Sequence, residues 1–448
     1  MLAIKRFLVG LFFVTAVIPL HAATSSDGKV PVEYIISVYT DRPEALYHQK
    51  EQVTFNIDLQ HNSLPANEDV VDWVLTKDGL PLGQQGQIPL KNGKASITGT
   101  LEEPGFLQCK VTYKNGKTVV SALAAAGFDL TEIKPSLPVP ADFDSFWADQ
   151  KKKLASVPLK ATTTPVPLPP HRDGVEVFEF SADCIGAPST GYIGKPIGAK
   201  PKSLPALLFV PGAGVRSANL DGVAGWSKNG ILVAEMNAHG ILNGQPSAFY
   251  GGLDSGELKD YRTRGRDSRE TYYFLGVYLR VLRAIDYLTS QPEWDGKTLI
   301  INGVSQGGGL GLMASALDPR VTFSFIAVPG LSDHSGGLLG RIAGWPKVAP
   351  ILPDGKPDPK VIETLRYFDS ANFATRVKTP IYFEVGFIDV ICPPTCSYVD
   401  YNNLKCPKDI KNFPNFGHDL GPEIWARIKA KTLEHIASQS KATVPVGL

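Results

Sequence analysis

Gly303-Val304-Ser305-Gln306-Gly307 is the stretch around which this chain is organised, because it matches the pattern Gly-x-Ser-x-Gly. The apolar run at residues 298–301 precedes it and predicts a buried parallel strand. Residues 309–317 follow it and predict a helix that ends at Pro319. A strand, a tight turn and a helix in this order are the setting in which the motif forms a nucleophile elbow.

The chemistry of this turn centres on Ser305. Side chains at positions 303 and 307 would collide with the crossing strand and helix, and the strained turn lifts the serine hydroxyl clear of the backbone. The N–H of Gln306 then lies at a helix N-terminus, where it can stabilise an oxyanion. The alternative is a glycine-rich turn whose serine takes no part in chemistry.

Length and composition set the broad class of the protein. The chain has 448 residues, which favours two domains. A hydrophobic content of 43% and a net charge of +1 are typical of a soluble globular protein. They give no support for nucleic-acid binding or for electrostatic membrane binding.

The N-terminus reads as a signal peptide over residues 1–23. Lys5 and Arg6 form a basic start, residues 7–20 form an apolar segment too short to span a bilayer, and Ala22 and Ala23 suit a cleavage site. An uncleaved anchor helix is the alternative. The mature protein is therefore predicted to be secreted or periplasmic, with no membrane attachment after cleavage.

The rest of the chain divides into two predicted domains. Residues 28–130 alternate in short strands separated by turn signals such as Asn92-Gly93, which predicts a small all-β, Ig-like sandwich. A proline-rich linker spans residues 131–140. Residues 141–440 alternate strands with helices, which predicts a parallel, doubly wound α/β sheet of the α/β-hydrolase type with helices on both faces. The pattern breaks at residues 329–379, where we expect an insertion or cap.

A nucleophilic Ser305 needs a base, and in an α/β-hydrolase the base follows last in the chain. His418 lies in a loop just before the predicted terminal helix, where the base belongs. His435 lies inside that helix and is predicted to be a surface residue. We therefore favour His418 as the general base.

The orienting acid should follow the late strand predicted at residues 381–385. Asp389 stands directly after this strand. Glu384 lies inside the strand and is less free to reach out, and Asp400 comes later on a predicted helix. Asp389 is therefore the predicted acid, which holds the imidazole tautomer and stabilises the imidazolium.

The second oxyanion donor and the pocket residues are predicted from positions outside the triad. Residues 209–214 follow an early strand, and there Gly212 lets the backbone turn in so that the Ala213 N–H joins that of Gln306 as a donor. A plain glycine turn is the alternative for this loop. His239 lies at the carboxyl end of another strand, where ligands gather in open α/β sheets. The predicted pocket residues, for each of which a structural role is an alternative, are Gly212, His239, Asp333, His334 and Trp345.

Five cysteines leave the disulfide state open. Cys392, Cys396 and Cys406 lie close together, so they either form one local bridge or stay as buried free thiols. Zinc is a weak alternative, because the nearest downstream histidine is His418. No metal is predicted.

With these residues in view, residues 139–440 resemble the acetyl xylan esterase and cephalosporin-C deacetylase family, carbohydrate esterase family seven. The motifs that carry the resemblance are residues 141–147, residues 303–309, residues 386–395, where the acid is followed by Cys-Pro-Pro, and Phe416-Gly417-His418. The resemblance implies a sugar-ester deacetylase that needs no cofactor and assembles as a ring-like homo-oligomer.

Three positions depart from the family pattern. His239-Gly240-Ile241 stands where the family has Arg-Gly-Gln, and Pro211-Gly212-Ala213 stands where it has His-Gly-Tyr. His418-Asp419 replaces His-Glu. The first two changes alter the pocket lining and leave the triad intact.

Together these features predict an exported serine esterase that deacetylates acetylated xylan or related oligosaccharides through an acyl-enzyme. A peptidase or other acyl hydrolase of the same fold is one alternative. A non-catalytic glycan-binding protein is the other. The natural substrate and the role of the N-terminal β domain are not determined by the sequence.

Overall fold

The computed structural model describes residues 33–66 and 69–441. The predicted signal peptide, residues 1–23, lies outside the described residues, as do residues 28–32 of the predicted β domain. Within the described ranges, no helix combines the length and the apolar character needed to cross a membrane.

The region before the linker is built of strands in two sheets. The first sheet follows the order β1-β3-β4 with β7 also paired to β3, and the second follows β2-β9-β8-β5-β6. The strands are β1 (Tyr34–Thr40), β2 (Leu46–Tyr47), β3 (Val53–His61), β4 (Leu64–Pro65), β5 (Val70–Lys77), β6 (Leu80–Pro89), β7 (Lys94–Gly99), β8 (Gly105–Asn115) and β9 (Thr118–Phe128).

Alternation along the strands explains how this region buries its core. In β3 every second side chain, from Val53 to Leu59, is buried, while the residues between them are half-buried. These side chains pack against Val71, Leu107 and Phe128 of the second sheet. The all-β prediction therefore agrees with the observed strands, and the comparison with an immunoglobulin-like sandwich stays a prediction.

The second part of the chain contains the central sheet. Its strands are β10 (Ala161–Pro165), β11 (Val175–Ala182), β12 (Ser189–Pro196), β13 (Leu204–Val210), β14 (Leu232–Met236), β15 (Trp294–Val304), β16 (Phe323–Ala327), β17 (Ile381–Gly386) and β18 (Lys408–Phe413). They follow the order β10-β11-β12-β14-β13-β15-β16-β17-β18. From β14 to β18 along this order, each strand is parallel to its neighbours in the sheet. At the other end, β10 pairs with β11, β11 with β12 and β12 with β14, and all three pairs are antiparallel.

Helices cover both faces of this sheet. They are α1 (Phe143–Ala155), α2 (Leu220–Ser227), α3 (Ser247–Ser255), α4 (Tyr273–Ser290), α5 (Gln306–Leu317), α6 (Pro359–Leu365), α7 (Ser370–Ala374), α8 (Pro394–Asn403) and α9 (Ile424–Lys441). Side chains of α1, α4 and α5 pack with Leu208 on one face, and side chains of α2 and α9 pack with Leu207 on the other. This is an α/β fold.

Two sequence predictions for this part need correction. The sheet is mixed rather than wholly parallel, because β11 and β12 are joined by a short connection, and a parallel pair needs a crossover of a dozen or more residues. Helix α5 begins at Gln306 rather than at residue 309. Its first turn is rich in glycine, whose low helix propensity hides the start of the helix from a sequence pattern.

The β region packs directly against the segment after β17 and against α8. Phe106 of β8 meets Phe387, which follows β17, edge to face at 5.0 Å between ring centroids. Both rings belong to a buried cluster that also contains Tyr398 of α8. Asn402 donates hydrogen bonds to the carbonyl oxygens of Leu130 and Ile133, which anchors the start of the linker. The two parts of the chain therefore share a core near the loop that carries Asp389.

Candidate active site

Ser305 occupies a strained turn between β15 and α5. Its backbone has φ 63° and ψ −127°, a conformation that costs a non-glycine residue on the order of 1–3 kcal/mol. The turn is held by hydrogen bonds from Ser305 N to the carbonyl oxygen of Ala327, at 3.0 Å, and from Gly330 N to the carbonyl oxygen of Ser305, at 2.8 Å. The surrounding structure therefore imposes the conformation that exposes the hydroxyl.

Two glycines of the motif have no room for a side chain. A Cβ at Gly303 would lie 2.0 Å from the carbonyl oxygen of Gly307, and a Cβ at Gly307 would lie 2.4 Å from that of Val210. Both neighbours are backbone atoms, which cannot move aside as a side chain can. The crossing of β15, α5 and the end of β13 thus explains both glycines.

The structure brings Ser305, His418 and Asp389 together. His418 Nε2 lies 2.8 Å from Ser305 Oγ, and His418 Nδ1 lies 2.7 Å from Asp389 Oδ2. The other carboxylate oxygen, Asp389 Oδ1, accepts hydrogen bonds from the N–H groups of Ile391 (2.8 Å) and Cys392 (2.9 Å). The buried carboxylate is thereby locked in place, and it orients the imidazole toward the serine.

The side chains that were the alternative candidates for the acid and the base have other partners. Glu384 is fully buried and bonds the Arg427 guanidinium through both oxygens, at 2.7 and 2.9 Å. Asp400 is buried and accepts a 2.6 Å hydrogen bond from Ser332 Oγ. The predicted surface residue His435 is half-buried and stacks on Phe323 at 5.0 Å between ring centroids, so its surface placement is wrong.

The predicted oxyanion donors lie on either side of the serine. Gln306 is the first residue of α5, so its N–H is at the helix N-terminus. Its side-chain amide donates to the carbonyl oxygens of Pro211 (3.3 Å) and Gly212 (3.4 Å), which ties the loop carrying Ala213 to the elbow. Ala213 and Ser305 line the same cavity.

This cavity has a volume of about 500 Å³ and is mostly apolar. Its lining residues are Phe209, Val210, Pro211, Gly212, Ala213, Arg216, Glu235, Asn302, Val304, Ser305, Trp345, Ile391, His418, Trp425 and Ile428. A largely apolar cleft with a few convergent polar groups is typical of a small-molecule site.

Comparisons with known proteins identify the family of the chain. The profile described as acetyl xylan esterase (AXE1) matches residues 125–435. The chain belongs to the acetyl xylan esterase family. As a member of it, the protein is a carboxylic ester hydrolase.

Three relatives of the esterase align with it over most of their own lengths. The acetyl esterase Axe7A of Xylanibacter ruminicola is 31% identical over 410 residues, which are 90% of this chain and 91% of that protein. The solved acetyl xylan esterase from Paenibacillus sp. R4 is 26% identical with a TM-score of 0.58, covering 68% of this chain and 98% of that one. Acetyl xylan esterase 1 from Thermoanaerobacterium sp. JW/SL YS485 has the same identity and TM-score and covers 68% and 97%.

Three residues that line the cavity of the esterase were missed by the sequence analysis. Burial raises the pKa of Glu235 to about 7, against the opposing effect of its hydrogen bond from Asn219 N and of the nearby Arg216 charge. Arg216 also donates a 2.7 Å hydrogen bond to the carbonyl oxygen of Ala213. Trp425, at the start of α9, is 58% exposed, and an exposed tryptophan at the start of an amphipathic helix is the one signal that could have drawn attention to it.

Of the predicted pocket residues, Gly212 and Trp345 line the cavity, and His239 does not. His239 is 5% exposed and lies behind the loop that carries Ala213. Its ring nitrogens lie 2.7 Å from Tyr273 Oη and 3.2 Å from the carbonyl oxygen of Gly214. Burial lowers the pKa of His239 to about 4. It therefore supports the loop from outside the cavity.

The pocket prediction is also wrong for Asp333 and His334. Asp333 is buried, pairs with Arg341 at 2.7 Å and accepts a 2.6 Å hydrogen bond from Ser136 Oγ, so it ties the linker to the segment between β16 and β17. His334 is 3% exposed, and burial lowers its pKa to about 4. Both lie in the segment between β16 and β17, where the chain turns them inward.

The cysteines are free thiols. All five lie in the described residues, and none forms a disulfide. Cys392 and Cys396 are buried, and burial raises the pKa of both thiols. Across residues 33–66 and 69–441, no group of three or more His, Cys, Asp or Glu side chains is arranged to hold a metal ion.

Proposed function

We propose that this protein is a serine esterase that removes acetyl groups from acetylated xylan or related oligosaccharides. The observation that carries the proposal is the 2.8 Å contact between Ser305 Oγ and His418 Nε2, backed by the 2.7 Å contact between His418 and Asp389. Membership of the acetyl xylan esterase family supports an acetylated sugar as the substrate.

The first half-reaction forms an acyl-enzyme. Ser305 Oγ attacks the ester carbonyl carbon as its proton passes to His418 Nε2, and the N–H groups of Gln306 and Ala213 bind the resulting oxyanion. Asp389 accepts the hydrogen bond of the other ring nitrogen and stabilises the imidazolium. The carbon–oxygen bond to the sugar then breaks, and His418 protonates the leaving alkoxide.

The second half-reaction restores the enzyme. Water takes the place of the sugar and gives its proton to His418 Nε2 as it attacks the acetyl-serine carbonyl. The same backbone donors bind the second oxyanion. Its collapse releases acetate and returns the proton to Ser305 Oγ.

We also propose that the protein is exported. The basic start, apolar segment and small residues within residues 1–23 support this. The N-terminal sequence of protein recovered from the periplasm or the medium tests it. A mature chain starting near residue 24 supports export, and a chain retained in the cytoplasm with residues 1–23 intact contradicts it.

The test of the activity is acetate release from acetylated xylo-oligosaccharides by the wild type and by Ser305→Ala. Ser255→Ala is the matched control, because Ser255 is an exposed serine of α3 away from the cavity. We expect the wild type and the control to release acetate, and Ser305→Ala to lose at least a thousandfold in rate.

Two results would contradict parts of the proposal. Activity on a simple aryl acetate without release from any sugar ester would overturn the substrate class. Hydrolysis of aminoacyl-naphthylamides in preference to esters would instead make the protein a peptidase. Mass spectrometry of enzyme quenched during aryl acetate turnover should show the acetyl group on Ser305.

A further inference from the structure

The outer face of the second β-sheet, the side turned away from its core, leads toward Asp389. Val71 and Leu75 of β5 are buried, so the alternating residues between and beside them point outward. Strand pairing aligns them with residues of β6 and β8 on the same face. This outer face carries Asp72, Val74 and Thr76, Gln85 and Gln87, and Gln108, Lys110 and Thr112.

Two neighbouring cavities lie on this face. One, of about 360 Å³, lies over Asp72, Gln85 and Thr112. The other, of about 190 Å³, lies in the corner between the outer face and the loop that follows β17. Val74 and Lys110 line both, so the two cavities are neighbours, and we call them together the corner groove.

The corner groove ends against the loop of the catalytic acid. Asp389, Val390 and Pro393 line its corner cavity, while Ile391 lines the cavity that contains Ser305. Consecutive residues of one loop therefore separate the two spaces. Val390 is 65% exposed, so the rim between them is open to solvent.

The part of the corner groove over the strands presents polar groups that match a neutral polyhydroxylated chain. The Asp72 carboxylate is neutralised by Lys114 at 2.9 Å and accepts a 2.8 Å hydrogen bond from Gln87. Amides and hydroxyls make up most of what remains on the strand surface, and each can both donate and accept hydrogen bonds. The corner cavity is mostly apolar, with Phe106, Leu123 and Val390 in its lining. Lys110 has no ion-pair partner among the described residues, and a single free cation is far from the basic stripe that a nucleic acid needs.

We propose that the corner groove binds the continuation of the same glycan chain whose acetyl group lies at Ser305. The inference rests on the proposed function and adds to it a polymeric substrate and a role for the β region. Asp72 and Thr76 are four residues apart along β5, a distance of about 13 Å. This length leaves room for more than one sugar unit. The strands that form the floor of this groove, β5, β6 and β8, lie before residue 125, where the family profile begins.

The test uses acetylated xylo-oligosaccharides of increasing length and the full-length protein. The variant is Lys110→Ala with Gln85→Ala, two exposed side chains on strand surfaces. The control is Lys94→Ala with Gln52→Ala, two exposed side chains on β7 and directly before β3, in the first sheet's region. In the wild type and the control, we expect KM to fall at least fivefold between a dimer and a hexamer. In the groove variant, KM should no longer fall with chain length, while kcat and the rate of aryl acetate hydrolysis stay within twofold of the wild-type values.

Binding provides a second measurement. Deacetylated xylohexaose, titrated calorimetrically into the Ser305→Ala protein, should bind at least fivefold more weakly when the groove substitutions are added. A wild-type KM that does not change with chain length, or an equal loss for aryl acetate and hexamer, would overturn the proposal while the esterase function stands. A wild type that releases no acetate from any sugar ester would overturn both.

Discussion

The Asp78 carboxylate accepts a 2.6 Å hydrogen bond from the hydroxyl of Thr395, which joins the β region to the segment that carries the catalytic acid. Both residues are buried, at 5% and 1% exposure. Asp78 Oδ1 also accepts a hydrogen bond from Phe106 N, at 2.8 Å. Burial raises the pKa of Asp78, against the effect of these hydrogen bonds. Since Asp389 lies six residues before Thr395, the β region helps to set the position of the acid.

Replacing Thr395 with valine should therefore weaken both stability and catalysis. The change keeps the shape of the side chain and removes one hydrogen bond to a buried carboxylate, which should cost about 1–3 kcal/mol. We expect a lower urea midpoint and a fall in kcat larger than any change in KM. Thr98→Val, at an exposed position of β7, is the control and should leave both unchanged. A Thr395→Val protein with wild-type midpoint and kcat would show that the contact does not position Asp389.

Glu235 should make stability fall as the pH rises. Its pKa is raised to about 7 in the folded protein, from an ordinary value of 4.5, so the folded state binds more protons than the unfolded state between these values. Stability is then highest below about pH 4.5 and is lost toward pH 7, by up to about 3 kcal/mol from this group. Glu235→Gln should remove that slope.

Urea unfolding of the wild type and Glu235→Gln at half-unit steps from pH 4.5 to 8 measures the effect. The difference between the two proteins isolates Glu235 from the other titrating groups. Glu257→Gln, at an exposed carboxylate, should give a curve parallel to that of the wild type. A constant difference between wild type and Glu235→Gln across this range would contradict the raised pKa.

Replacing only one partner of the ion pair between Glu384 and Arg427 should strongly reduce the stability of the fold. Arg427 also donates to the carbonyl oxygen of Leu420, two residues after His418, so it anchors α9 and the end of the loop that holds the base. Arg427→Met leaves the Glu384 charge buried without its partner, and we expect a loss of about 3–5 kcal/mol. In the double variant with Glu384→Leu, most of this stability should return. Additive losses in that double-mutant cycle would mean that the pair is not coupled.

Gly307→Ala should damage the elbow through its backbone. The added Cβ would lie 2.4 Å from the carbonyl oxygen of Val210, so β13 and α5 must separate, at a cost of about 1–3 kcal/mol. Separation would also move the loop of Ala213, and we expect kcat to fall at least tenfold. Gly251→Ala is the matched control, because nothing lies within 4 Å of its Cβ and it is inside α3. Circular-dichroism melts and aryl acetate kinetics on both variants check the prediction, and equal behaviour of the two would refute it.

The candidate triad could be located from the sequence because each member depends on a local pattern. Ser305 lies in a motif whose glycine spacing reflects a turn. Asp389 follows a strand and His418 precedes the terminal helix, and the limits of both elements can be read from the chain. Parallel strands place such ends on the same edge of a sheet, so the order of elements was enough to predict that the three would meet.

The pocket could not be located in the same way. His239, Asp333 and His334 have the residue types of pocket residues, and His239 also follows a strand end, but the direction of each side chain depends on how its loop packs. Arg216, Glu235 and Trp425 carry no motif, and they come from three elements far apart in the chain. Only the packing of the loop after β13 and of α9 against the sheet brings them to one cavity.

The sequence by itself determined the elements and the order of the reacting groups, because hydrophobic periodicity, glycine turns and chain order are local properties. The tertiary structure alone decided which polar groups are buried, which face the cavity at Ser305, and how the β region reaches the Asp389 loop. These are contacts between residues hundreds of positions apart, such as Asp78 and Thr395. Their free energy depends on the burial that the assembled fold imposes, and no local pattern records it.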